Sequence, residues 1–122
     1  FSVTFMKTIH PVTCYAMRFV ENSTGKIFVF TGDSGYLESF VDFAKDADLF
    51  LADTYLFAGN ERHKAHFTSQ ESGEIAAAAK VKKLVLTHLP QHGDLEQLKE
   101  EAAAAANGIP VELAAVQKIF EI

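Results

Sequence analysis

Three residues of this chain combine a useful side chain with a telling position: Asp33, His66 and His88. Asp33 sits in Thr31-Gly32-Asp33-Ser34-Gly35, just after the apolar run Ile27-Phe28-Val29-Phe30. In α/β layers, carboxylates at the carboxyl ends of buried strands face the crevice where ligands bind. An aspartate between glycines can equally do no more than close a turn and cap the helix after it. His88 ends Leu84-Val85-Leu86-Thr87-His88, where an imidazole could ligate a metal or move protons near neutral pH. A hydrogen-bonded strand-end histidine is the plainer alternative. His66 lies on a loop, the kind of segment on which catalytic groups concentrate when a rigid scaffold holds it, although many loop histidines are merely solvated.

Two further residues join them. Asp53 follows Leu49-Phe50-Leu51-Ala52 as a second strand-end carboxylate; it could orient His66, as an aspartate orients a catalytic imidazole, or simply belong to a turn. His10 ends the first strand-like segment, just before Pro11. His63, between Arg62 and Lys64, and His92, before Gly93, read as solvated and stay outside the site. HExxH, CxxC, Walker and GxSxG patterns are absent, so serine and cysteine nucleophile schemes have no anchor. The single Cys14 reads as a buried, inert thiol.

Elements that could position these groups emerge from periodicity. Residues 1–10 and 15–20 alternate as strands, and Asn22-Ser23-Thr24-Gly25 turns the chain into a third strand, 26–30, apolar on both faces and so expected inside a covered sheet. Leu37, Phe40, Val41 and Ala44 form the stripe of a short helix, and 49–52 a buried strand. Residues 55–67 read as a loop. Thr68 and Glu71 have capping-box spacing for a helix reaching Ala79, 81–87 is a strand, and Asp94 with Gln97 repeats the cap signal before a helix that Asn107-Gly108 stops. Residues 110–114 and 118–122 look like a closing pair of strands. Helices and strands in this order give an α/β layered domain.

Composition bounds the partners. At 122 residues, 48% hydrophobic with eleven Phe, the chain fits one compact domain. A net charge of −5 with scattered Lys and Arg offers no field for a phosphate backbone. No apolar run approaches the roughly 20 residues that span a bilayer, and no secretory leader pattern is present, so no membrane is expected and the cytoplasm is the expected compartment. Phe1 stands inside strand pattern without an initiator Met, so the sequence is expected to be a fragment.

Taken in order, His10-Pro11, Thr31-Gly32-Asp33-Ser34-Gly35, Leu51-Ala52-Asp53-Thr54, His66-Phe67-Thr68 and Leu86-Thr87-His88 resemble the carboxyl-terminal half of the metallo-β-lactamase superfamily, in the branch of ribonuclease Z and its phosphodiesterase-like relatives. The resemblance covers nearly the whole chain. It implies half of an αββα sandwich, a mixed sheet with helices on one face, spanning 1–122. It also implies a hydrolase in which two metal ions, usually zinc, share a bridging hydroxide. By that resemblance His10 is a ligand to one metal, Asp33 bridges both and His88 binds the second. His66 protonates or stabilises the leaving oxygen, with Asp53 as its carboxylate partner.

The chain departs from the family in three places. The ribonuclease Z branch carries Glu in a His-Glu-Ala-Thr stretch where this chain has Ala52-Asp53-Thr54. The signature His-x-His-x-Asp-His is missing, so the chain alone is expected to bind metal weakly and to be inactive without its other half. Only a hairpin separates His10 from Asp33, with no room for a transfer-RNA arm. Transfer RNA is therefore disfavoured against a small phosphodiester or other ester. Two rivals remain: a thioester or lactone hydrolase on the same fold, and a non-catalytic module. The latter would pair with another chain or form a homo-oligomer through the exposed sheet face.

Overall fold

The computed structural model describes residues 1–122. Alternating side chains build β1 (Ser2–Lys7) and β2 (Tyr15–Val20), paired antiparallel with Val3 opposite Phe19. A turn closed by the Gly25 N–H on the Glu21 carbonyl (2.8 Å) leads into β3 (Ile27–Phe30), antiparallel to β2. From there pairing becomes parallel: β4 (Leu49–Asp53), β5 (Leu84–Thr87) and β6 (Val111–Leu113) come next in order, so the six-stranded mixed sheet runs β1-β2-β3-β4-β5-β6.

Three helices supply the crossovers, and all pack on one face: α1 (Phe40–Phe43), α2 (Ser69–Ala79) and α3 (Leu95–Ala106). Every second residue of the central strands, Val29, Phe50, Ala52, Leu84 and Leu86, is buried against Phe40, Phe67, Ile75 and Leu98. Each large side chain so buried contributes on the order of 1.5–3 kcal/mol. Gly73 lets α2 and α3 lie close together, since a Cβ there would stand 2.3 Å from the Ala102 carbonyl oxygen and 2.8 Å from the Ala105 Cβ. The capping box at Thr68 is closed in both directions, its Oγ1 accepting the Glu71 N–H and Glu71 Oε1 accepting the Thr68 N–H. At α3 only half the signal is used: Asp94 accepts the Glu96 N–H, whereas Gln97 turns to Glu101.

The opposite sheet face is apolar and carries no helix. Phe1, Val3, Phe19, Phe28 and Leu51 line a groove of about 640 Å³ there, joined by Phe120 and Ile122. This placement corrects the expectation for 118–122: the segment forms no strand, because Phe120 and Ile122 lie over the sheet face instead of pairing at its edge. β1 stops at Lys7, leaving His10 on a loop, and α1 is a single turn because the Phe40 and Val41 N–H groups bond three residues back, to Leu37 and Glu38. No helix is long and apolar enough to cross a membrane.

Asp48 fastens the parallel half of the sheet. Its Oδ2 accepts the Ile27 N–H at 2.8 Å and its Oδ1 accepts Lys82 Nζ at 2.6 Å. Burial raises its pKa, but the Lys82 hydrogen bond, the Ile27 N–H and nearby lysine charge outweigh it and hold the carboxyl below its usual range. A depressed folded pKa gives stability that is present above the unfolded value, near 3.9, and lost as pH falls through the folded one. Asp48→Asn is therefore expected to lower the unfolding free energy by about 1–2 kcal/mol at pH 7. Urea titrations should show that deficit shrinking below about pH 3; an equal deficit at both pH values would contradict the assignment.

Candidate metal centre

The site forms where the carboxyl ends of β3, β4 and β5 meet. After β3 the chain turns through residues 31–35, which need glycine twice. Gly32 has φ +60°, and a Cβ on Gly35 would stand 2.2 Å from the His63 carbonyl oxygen. This turn also gathers the loop after β1: the Gly35 N–H donates to the Ile9 carbonyl (2.9 Å), the Ile9 N–H donates to Ser34 Oγ (3.3 Å) and Thr8 Oγ1 donates to the Asp33 carbonyl (2.9 Å). His10 is thereby drawn towards Asp33, its Nε2 lying 3.8 Å from Asp33 Oδ2.

Asp53 is the centre of the arrangement. It closes β4, is fully buried and pairs in register with Thr87, so His88 begins one residue beyond it on the neighbouring strand. Its N–H donates to Thr31 Oγ1 at 2.9 Å. Asp53 Oδ2 takes the Ser34 N–H at 3.1 Å and His66 Nδ1 at 2.8 Å, while Oδ1 faces His88 Nδ1 at 3.1 Å. One carboxylate thus holds two imidazoles by Nδ1, which leaves each Nε2 free for other work. Burial pushes the Asp53 carboxyl above its ordinary pKa, opposed by the hydrogen bonds from His66 and the Ser34 N–H and by positive charge on either imidazole. A carboxyl raised on folding detracts from stability once pH exceeds its folded pKa, so ionised Asp53 is held at the expense of the fold.

His88 departs from ordinary strand geometry, with φ +52°. A left-handed backbone at a non-glycine residue costs of order 1 kcal/mol and persists when the surroundings over-determine it. Here it brings Nδ1 between two carboxylates, 3.1 Å from Asp53 and 3.5 Å from Asp33 Oδ1. Asp33 itself is half-exposed and makes no shorter side-chain bond, standing between His10 and His88.

The donor set suits a divalent cation. Asp53, His66 and His88 bring ligating atoms within 4.8 Å of one another. Asp33 Oδ2 stands 3.8 Å from His10 Nε2, longer than a hydrogen bond and near the roughly 3.4 Å that separates two donors on one tetrahedral zinc, and Asp33 Oδ1 lies 3.5 Å from the His88 ring at Nδ1. With His88 Nδ1 donating to Asp53, a metal held by His88 and Asp33 would take the ring's free Nε2. Asp53, accepting from Ser34 and His66 on one oxygen and from His88 on the other, fits orientation better; Asp33, half-exposed, fits ligation better.

All five residues singled out in the sequence therefore meet at one place. Tyr55 marks only the start of a loop in the sequence, yet its ring stacks on His88 and tilts over His66, centroids 5.1 Å from each. Its position two residues after a strand-end carboxylate was the available signal. His63, although exposed, stacks on His66 at 5.8 Å. Cys14 is half-buried, and its Sγ lies 3.6 Å from His10 Nδ1, which corrects the expectation of a thiol sealed in the core.

Comparison with known proteins supplies the family. No family model matches the chain. It is 46% identical over 109 residues to the probable metallo-hydrolase YhfI of Bacillus subtilis, covering 88% of this chain and 44% of that protein. The crystal structure of the metallo-β-lactamase fold protein YhfI superposes with a TM-score of 0.90, covering 98% of this chain and 49% of that one at 39% identity. The chain belongs to the metallo-β-lactamase superfamily. Within the superfamily it is similar to ribonuclease Z of Kineococcus radiotolerans, 39% identical over 89 residues (66% of this chain, 27% of that one). It also resembles the short form of human tRNase Z, with a TM-score of 0.68 at 25% identity over 92% of this chain and 39% of that one. The chain spans less than half the length of these relatives.

Proposed function

We propose that this chain forms one side of a dinuclear metal site in a hydrolase of small phosphodiesters. In this reading His10, Asp33 and His88 would hold the metal, zinc being the ion that imidazole and carboxylate donors suit, and Asp33 would be the residue shared between the ions. When bound, the ions supply Lewis-acid polarisation of the ester and lower the pKa of water to near neutrality. The protein's own residues do the rest. His66, held by Asp53 through Nδ1, carries a proton on Nε2 towards the departing oxygen, and Asp53 keeps the ring in orientation while stabilising its charged form. Tyr55 limits the tilt of both rings.

The observation that carries this reading is the division of labour between two aspartates. One is buried and bonded by two imidazole N–H groups; the other is half-exposed between two imidazoles, 3.8 Å from His10 Nε2. A net charge of −5 and the bare hairpin between His10 and Asp33 favour a small ester over transfer RNA. The absence of His-x-His-x-Asp-His fits a chain that alone binds metal weakly and turns over little. A thioester or lactone would use the same groups, so phosphodiester and thioester substrates should be assayed side by side in the natural full-length polypeptide. There His66→Ala should lower phosphodiester turnover about 10²–10⁴-fold with little loss of metal. Parallel loss of metal and turnover would overturn the role of His66, and thioester preference would overturn the substrate class.

A second reading, an association module, is favoured by the apolar groove on the bare sheet face, a surface that fits the remainder of a longer polypeptide or a second copy of this chain.

A further inference from the structure

We propose that Glu71 and Arg62 form a latch that sets the place of His66, making Glu71 a positioning residue for that imidazole; its catalytic consequence rests on the reading of His66 just given. Glu71 is fully buried, and its two oxygens have separate tasks. Oε1 accepts the Thr68 N–H at 3.0 Å, which is the whole requirement of a capping box. Oε2 reaches away from the helix to accept both the backbone N–H of Arg62 (3.0 Å) and its Nη1 (2.7 Å). A helix cap has no use for this second pair of bonds.

Their effect is to close residues 62–68 into a ring on one carboxylate, and His66 lies inside that ring. Arg62 takes a left-handed backbone, φ +65°, to turn its N–H inward, and its guanidinium stacks 3.7 Å over the Tyr36 ring. The far side of the loop is fixed independently. The Phe67 carbonyl accepts the Leu56 N–H (3.3 Å), the Ser69 N–H donates to the Leu56 carbonyl (2.9 Å), and Phe67 is fully buried. His66 is therefore held between a backbone bridge on one flank and the latch on the other. Release of the latch frees the 62–65 flank and with it the 2.8 Å contact of His66 with Asp53. His88, one residue past β5 with its own Nδ1 bond to Asp53, is bonded to neither Glu71 nor Arg62; because its ring lies 4.9 Å from that of His66, its signal should shift but persist, and that persistence is the internal control.

Glu71→Gln separates the two tasks, because a glutamine oxygen still caps the helix, whereas its amide cannot accept from Arg62. In the natural full-length protein the imidazole nitrogens of His66 and His88 report separately by ¹⁵N-resolved NMR whether or not turnover is measured. For Glu71→Gln, and again for Arg62→Ala, which leaves the cap intact, the His66 signal should broaden or vanish while the His88 signal and α2 helicity persist. Turnover should fall about 100-fold, as for a misplacement of about 1 Å, through kcat more than KM. Persistence of both signals with wild-type kcat would overturn the latch, as would joint loss of both signals and of helicity. Absence of turnover in the wild type would instead remove the catalytic reading and leave the NMR result to decide the latch.

Discussion

Asp53→Asn is expected to lower turnover by about 10³-fold or more, the scale seen when a carboxylate that fixes a catalytic imidazole is made an amide, while the chain stays folded. Asp53 accepts on both oxygens, from His66 and the Ser34 N–H on one and from His88 on the other. Asparagine offers one accepting oxygen and one donating amide, so one imidazole must meet a donor with its own N–H. If the amide faces His88, that ring is driven to the tautomer with its proton on Nε2; if it faces His66, that ring and the Ser34 N–H lose their acceptor together. Either orientation disables one of the two rings.

For the fold, the same substitution sets two effects against each other, the donor left unpaired and the buried charge removed. Since burial raises the Asp53 carboxyl above its ordinary value, ionising it at neutral pH opposes folding, and a neutral isostere removes that penalty. The chain is expected to remain folded at room temperature at pH 7. A loss of turnover under tenfold, or unfolding at room temperature, would contradict the role assigned to Asp53.

The features visible in the sequence were those that rest on near neighbours. β2 was readable to the residue because Tyr15 to Val20 alternate without interruption, and the Thr68–Glu71 box announced α2 by side-chain type and spacing alone. Asp33, Asp53 and His88 stood out because strand ends converge on one edge of a parallel sheet, so a local position implied a shared place. What stayed hidden depends on contacts distant in sequence. The stacking of Tyr55 on His88 spans 33 positions and needs the left-handed turn at His88, which no residue type advertises. The second duty of Glu71 was masked by the first, since a capping glutamate already accounts for its presence. Residues 118–122 look like a strand in the sequence, yet Phe120 and Ile122 lie along the apolar groove of the sheet face, a contact distant in sequence.

Asp33→Ala carries the second large effect. Asp33 lies 3.8 Å from His10 and 3.5 Å from His88, and its carboxylate is the group that joins these two imidazoles into one donor set. Its backbone contribution to the turn, the carbonyl that accepts Thr8 Oγ1, survives the substitution, so the loop geometry should persist. Metal affinity should fall by more than about 100-fold, beyond the 10–100-fold that removal of a supporting residue costs.

The division between a ligating Asp33 and an orienting Asp53–His66 pair is tested most directly by metal content per chain. Elemental analysis after exhaustive dialysis should compare the natural full-length polypeptide with its Asp33→Ala and His66→Ala variants. The account predicts that Asp33→Ala retains almost no metal and that His66→Ala retains the wild-type complement. Wild-type occupancy in Asp33→Ala, with metal lost from His66→Ala, would reverse the roles and contradict it.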